Sequence, residues 1–177
     1  MLLMKMAEPQ ADRFEKLVLP HLNDAYTLAR YLLRDEHDAQ DVVQDAVLRG
    51  WRFFDEFREG DPRAWLLSIV RNCCYTWHKS HRRDRSMVSS DDALLVEDPH
   101  AADDSLIAES EGERVRSAVD ALPPELKEVI VLRELSDLSY RQISDVIGAP
   151  MGTVMSRLSR ARERLASALD AGRRRAG

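Results

Sequence analysis

The sequence is poor in the features that mark secreted, membrane-spanning or redox-active chains. It has two cysteines, and they are neighbours, Cys73 and Cys74. Two cannot build a disulfide framework, and a bond between neighbours would distort a helix, so a reducing compartment is the simpler reading. No apolar run approaches the roughly 20 residues that span a bilayer. The first residues, Met1 to Met6, are followed too soon by acidic and polar residues to act as a signal peptide. Glycine and proline stand at seven each, which excludes collagen-like and low-complexity classes. There is no Gly-rich phosphate loop, no nucleophile motif and no spaced set of metal ligands, so no catalytic residue, cofactor or metal is expected. Cys74, His78 and His81 do share a helical stripe. A fourth ligand is missing, however, and Arg82 and Arg83 would repel a cation, so packing roles are expected for the cysteines.

What is present is apolar content and charge. The 177 residues are 44% hydrophobic, enough for a packed core in one ordinary domain or two small ones. Against 31 acidic residues stand 26 Lys and Arg, a net −5 that would argue against nucleic acid if it were evenly spread. It is not. Residues 86–113 hold nine acids (Asp91, Asp92, Glu97, Asp98, Asp103, Asp104, Glu109, Glu111, Glu113) and no Lys or Arg. Such a stretch repels itself and reads as an irregular linker. On either side the sign reverses: residues 63–85 carry six basic groups against Asp84, and residues 151–177 carry seven Arg against Glu163 and Asp170. Setting the nine linker charges aside turns −5 into +4 for the rest. The expected layout is two modules, 1–85 and 114–177, joined by the acidic tether 86–113.

The periodicity is helical nearly throughout. Ala25, Leu28, Ala29, Leu32 and Leu33 follow the i, i+3, i+4, i+7 rule, as do Val43, Ala46, Val47 and Trp51. Asp35, Glu36 and Asp38 precede the second set, where unpaired amides favour negative charge. Gly60-Asp61-Pro62 interrupts, and a third helix is expected from about 63 to 82. Pro123-Pro124 closes one helix and opens another. No hairpin signal occurs, so the fold class is all-α.

Residues 136–169 carry the most information. Ser139 and Gln142 have the spacing of a capping box. A short helix follows with Ile143, Val146 and Ile147 on one side, and Gly148-Ala149-Pro150 stops it. A second helix starts near Gly152 and Thr153. At 100° per residue, Val154, Leu158, Ala161, Leu165 and Leu169 form a core stripe, while Thr153, Arg157, Arg160 and Arg164 fall within about 60° on another. Two short helices about a Gly-bearing turn, the second with Arg outward, describe a DNA-reading helix-turn-helix. Arg can pair with guanine or phosphate, and Ser or Thr with either.

In the third helix Trp65, Leu66, Ile69, Val70, Cys73 and Trp77 form one broad face. Arg71, Tyr75, His78 and Arg82 lie opposite, with Ser68 and Asn72 at the boundary. Basic groups interleaved with an aromatic and an amide suit single-stranded nucleic acid, and they also suit a plain solvated face. The Trp51, Phe53, Phe54, Phe57 cluster reads as hydrophobic core.

Residues 38–51 (DAQDVVQDAVLRGW) resemble region 2.2 of the bacterial extracytoplasmic-function (ECF) sigma factors, and 64–72 (AWLLSIVRN) resemble their regions 2.3 to 2.4. Residues 122–125 (LPPE), 138–140 (LSY) and 152–162 (GTVMSRLSRAR) resemble their region 4. The resemblance implies a promoter-specificity subunit of RNA polymerase without catalytic activity, at work in the cytoplasm. Asp41, Gln44, Asp45, Leu48 and Trp51 would dock on the β′ clamp. Trp65, Ser68, Arg71, Asn72 and Tyr75 would meet the minus-10 element, with Asn72 in the pocket for a flipped base. Thr153, Ser156, Arg157, Arg160 and Arg164 would read the minus-35 element. Core RNA polymerase through its β′ clamp and β flap, promoter DNA and an anti-sigma factor are the implied partners. Met155 and Ser159 depart from what is often found in the family. The helix-turn-helix alone would also fit a free-standing operator-binding regulator, which should bind its DNA tightly without polymerase.

Overall fold

The computed structural model describes residues 2–88 and 110–175, with side chains over 10–82 and 110–172. Residues 89–109, most of the expected tether, lie outside the described residues. The described residues are helical and contain no strand. In chain order they form α1 (Leu2–Val18), α2 (Leu22–Leu33), α3 (Glu36–Phe53), α4 (Pro62–Val88), α5 (Glu111–Asp120), α6 (Pro124–Ile130), α7 (Tyr140–Ile147) and α8 (Met151–Arg175). A 3-10 turn joins α1 to α2, and a π turn (Val131–Leu135) extends α6.

The first module is built from α1 to α4. On α2 the buried residues are Ala25, Leu28, Ala29, Leu32 and Leu33, the stripe expected from periodicity. On α3 they are Ala39, Val42, Ala46 and Gly50, so the core face is turned from the expected one. Val43 and Val47 sit at its edge. The small residues let α3 approach closely, and Gly50 lies against the rings of Phe14 and Trp65. Asp35 caps α3 by accepting from the amides of His37 (2.8 Å) and Asp38 (3.0 Å), a contribution of about 1 kcal/mol. Asp61 does the same for α4, accepting from the amides of Arg63 and Ala64.

The aromatic cluster divides. Phe54 (0% exposed) and Phe57 are core, Phe54 meeting Phe14 edge-on at 5.1 Å. Phe53 (54% exposed) and Trp51 are on the surface, which corrects the expectation of a wholly buried cluster. The helical period explains it: Phe53 lies 100° from Phe54 and on the outer side of α3.

The second module packs α5, α6 and α7 on α8. Ser110 and Glu113 form a capping box at the start of α5, which therefore begins inside the stretch read as linker; α4 likewise runs past 85. The local cap outweighs the acidity of the segment, because acids favour a helix N-terminus. Val154, Leu158 and Ala161 of α8 are buried, while Leu165 and Leu169 are half-buried.

The modules are in contact. Helix α4 packs on α7, and α2 packs on α6 and the π turn. Gln142 donates to Asp61 at 2.5 Å, and the guanidiniums of Arg63 and Arg34 donate to the carbonyls of Ser136 and Asp120. A crevice of about 760 Å³ lies along the seam, lined by Leu32 and Cys74 together with His78, Lys79 and Lys127.

Candidate nucleic-acid interface

The helix-turn-helix takes the expected form. Ser139 Oγ accepts from the Gln142 amide (3.2 Å) and Gln142 Oε1 from the Ser139 amide (2.8 Å). Gly148 adopts left-handed angles (φ 64°, ψ 37°), which cost glycine little and end α7. Ser144 Oγ then bonds the Ala149 carbonyl at 2.6 Å, and α8 starts at Met151, next to Pro150. On α8, Ser156, Arg160 and Arg164 are exposed, and Thr153 is half-buried. Arg157 is different: its Nη1 lies 3.4 Å from Glu128 Oε1.

The α4 set does not form one surface. Trp65 is half-buried, its ring 4.9 Å from that of Phe57. Ser68 bonds the Trp65 carbonyl at 2.7 Å. Both line a cavity of about 480 Å³ whose walls include Phe57, Gly60, Asp61 and Asp145 of α7. Asn72 is exposed and does not line that cavity.

Arg71 and Tyr75 both turn to Glu128, on α6 of the other module. Arg71 engages it with two nitrogens, Nε to Oε2 at 2.7 Å and Nη2 to Oε1 at 3.1 Å, and the Tyr75 hydroxyl donates to Oε2 at 3.0 Å. The Arg71 guanidinium also lies over the Tyr75 ring, 4.6 Å from its centroid. Glu128 is 0% exposed. A carboxylate there must be paired, and two guanidiniums and a phenol pair it. Burial, and then the Glu128 charge, push the Tyr75 hydroxyl up to about 12. For Arg71, burial pulls the other way, but the bonds to Glu128 outweigh it and raise the group. At Asp61, burial likewise opposes the net effect: the bonds from Gln142 and the two backbone amides hold the carboxyl below its ordinary value.

The α3 set is open. Asp41, Gln44, Asp45 and Leu48 recur at helical spacing on one exposed face, with Trp51 and Phe53 beyond them. Leu48 is 52% exposed, and Asp45 pairs with Arg49 at 2.9 Å, a surface contact worth little.

Cys73 and Cys74 are both free and buried, and burial pushes the Cys74 thiol up to about 12. His78 bonds the Leu32 carbonyl, and His81 stacks on Trp77 at 3.8 Å. Among the described residues no group of three His, Cys, Asp or Glu is placed to hold a metal ion. No helix among the described residues is long and apolar enough to cross a membrane.

Sequence reasoning missed Glu128, Asp61, Gln142 (beyond its capping role) and Asp145. One weak signal existed: Glu128 directly precedes the apolar run Val129 to Leu132.

Comparison with known proteins bears on both modules. The family model Sigma-70 region 2 matches residues 17–84, and Sigma-70, region 4 matches residues 112–165. The chain is 32% identical to the RNA polymerase sigma-H factor of Pseudomonas aeruginosa over 166 residues, covering 88% of this chain and 86% of that one. It is 31% identical to the ECF RNA polymerase sigma factor SigE of Mycolicibacterium smegmatis over 155 residues, covering 86% of this chain and 60% of that longer relative. Among solved structures it resembles the sigma factor RpoE of Bartonella quintana, solved with the anti-sigma factor NepR. The TM-score is 0.71 at 27% identity, covering 89% of this chain and 97% of that one.

Proposed function

The chain belongs to the ECF RNA polymerase sigma factor family, and from that premise we infer that it joins core RNA polymerase in the cytoplasm and directs promoter-specific initiation without catalysis of its own. Its domains are 1–85 and 114–177, joined by the segment 86–113, whose two ends carry the last turn of α4 and the first turn of α5. The face of α3 bearing Asp41, Gln44, Asp45, Leu48 and Trp51 docks on the β′ clamp, and the second module meets the β flap. Trp65, Ser68, Arg71, Asn72 and Tyr75 engage the minus-10 element, and Thr153, Ser156, Arg157, Arg160 and Arg164 the minus-35 element. The observation that carries this reading is the presence, in one chain, of the exposed apolar-acidic face of α3 and a helix-turn-helix with Ser156, Arg160 and Arg164 outward.

The physics follows from the layout. Each module offers a small contact area, so its own affinity is weak. Held together on polymerase, the second contact becomes intramolecular and gains effective concentration. Extruding a base costs a few kcal/mol, which capture in a pocket offsets. Met155 and Ser159 lie on α8 beside the reading residues and tune the minus-35 sequence. An anti-sigma factor is a further partner, as in the Bartonella relative. A free-standing regulator lacks support, because the α3 face and the first module would have no task.

Run-off transcription with reconstituted core polymerase across genomic promoters tests the reading. Specific transcripts must require this chain. In the same assay Asn72→Ala should impair open-complex formation; an unchanged open complex would remove Asn72 from base capture.

A further inference from the structure

We propose that the crevice along the seam is a binding site for a small amphiphilic anion, a free carboxylate with a long apolar chain. The sigma-factor reading gives this crevice no task. Its volume of about 760 Å³ is that of a small-molecule site.

The walls have two characters. Leu32 and Cys74 are buried and line the crevice with apolar surface, and Pro124 of α6 adds more. Burial pushes the Cys74 thiol up to about 12, so it stays neutral and acts as a small apolar wall. The charged lining is all positive. Lys79 and Arg82 are exposed at the rim, while Lys127 is 4% exposed. Asp120 lies 3.9 Å from Lys127 but does not line the crevice. Among the described residues that do line it there is no Asp or Glu. A buried ammonium favours negative charge beside it.

The two characters are separated along α4. Cys74, His78 and Arg82 recur every four residues, so the crevice follows the helix for about 12 Å, from a buried thiol to an exposed guanidinium. An apolar body fits the first end, where each methylene drawn from water adds to affinity, and a single anionic head fits the second. A nucleotide fits poorly. Its ring and hydroxyl groups need polar partners, and the neutral polar side chains of the lining are engaged elsewhere: Tyr75 donates to Glu128, and His78 Nε2 bonds the Leu32 carbonyl. A nucleic-acid backbone would reach Lys79 and Arg82 and leave the apolar floor unused. The walls come from α2 and α4 of the first module and α6 of the second. A ligand seated there binds while those helices are together, and it adds stability that grows with its concentration.

Laurate is the test probe, titrated below its micelle concentration into the full chain by isothermal titration calorimetry. Dodecyltrimethylammonium, with the same chain and the opposite head, is the control. The expected result is one laurate per chain, a melting midpoint that rises with laurate, and binding of the cation weaker by about tenfold or more. Lys79→Glu combined with Arg82→Glu reverses two exposed rim charges and should weaken laurate by about tenfold or more. If circular dichroism shows that this variant has lost its cooperative melt, Lys79→Gln with Arg82→Gln decides in its place. Reductive methylation followed by mass spectrometry locates the ligand: laurate should slow modification of Lys79 and leave the exposed Lys16 of α1 unchanged. No saturable binding to the wild-type chain, equal affinity for the cation, or full affinity in a folded rim variant overturns the site. Unslowed methylation of Lys79 at saturating laurate overturns it as well.

Discussion

Helices α4 and α8 carry similar basic stripes, yet the molecule treats them differently. On α8, Ser156, Arg160 and Arg164 face solvent. On α4, Arg71 and Tyr75 are bound to Glu128, and the neighbouring cavity has Asp145 in its wall. The contrast shows that a basic face in sequence is not a free face in the fold. Whether it is available depends on which module lies against it. The face of α3 is a third case, open like that of α8 but apolar and acidic.

The largest effect that sharpens this comparison separates neighbours on α3 and just beyond it. Phe54→Ala removes a fully buried ring and should cost about 3–5 kcal/mol in urea unfolding, whereas Phe53→Ala should change stability by about 0.5 kcal/mol or less. Equal costs would mean the surface assigned to α3 is wrong. Next comes docking. Leu48→Glu places a charge at the centre of the open face and should weaken binding to core polymerase by about 2 kcal/mol or more in a competition assay, with an unaltered melting curve. Retained affinity would move the docking surface off α3. Arg160→Ala on the open stripe should then cost about 1–3 kcal/mol of minus-35 discrimination by the assembled holoenzyme, read from competing promoter duplexes.

The smallest effect is a titration on the covered stripe. The Tyr75 hydroxyl stands at about 12, raised by burial and by the Glu128 charge. A group raised in the fold contributes fully below its unfolded value of about 10, and that contribution fades as pH climbs through about 12. The ultraviolet phenolate signal assigned by difference against Tyr75→Phe should appear near 12 in the wild-type chain and lower in Glu128→Gln. A Tyr75 signal that ionises at the same pH in both would detach it from Glu128.

Much of the fold was legible because its signals are local. The α2 stripe, the cap at Asp35, the capping box at Ser139 and the turn at Gly148 each depend on residues within one or two turns. They appear where periodicity and side-chain chemistry place them. The α3 core face was misjudged because Ala39, Ala46 and Gly50 are small. Weight given to Val43, Val47 and Trp51 favoured bulk over close approach. The ends of the segment 86–113 are helical although its composition reads as irregular, because composition averages over a segment whereas Ser110 and Glu113 start a helix with two bonds.

The site was legible on one side only. The exposed α3 residues followed from the resemblance to region 2.2, and the α8 stripe from helical spacing. The engagement of Arg71 and Tyr75 did not, because Glu128 lies 57 positions from Arg71 and pairs with it only through the docking of two modules. No local rule connects such residues. Sequence marks Arg71 as a cation; only the fold identifies its counter-ion.

The most direct measurement is the rate at which phenylglyoxal modifies individual arginines of the free chain, followed by mass spectrometry. Arg160 serves as the open reference within the same molecule. The account predicts rapid modification of Arg160, slow modification of Arg71, and acceleration of Arg71 but not of Arg160 when Glu128→Gln is introduced. Equal rates at Arg71 and Arg160 in the wild-type chain would contradict it.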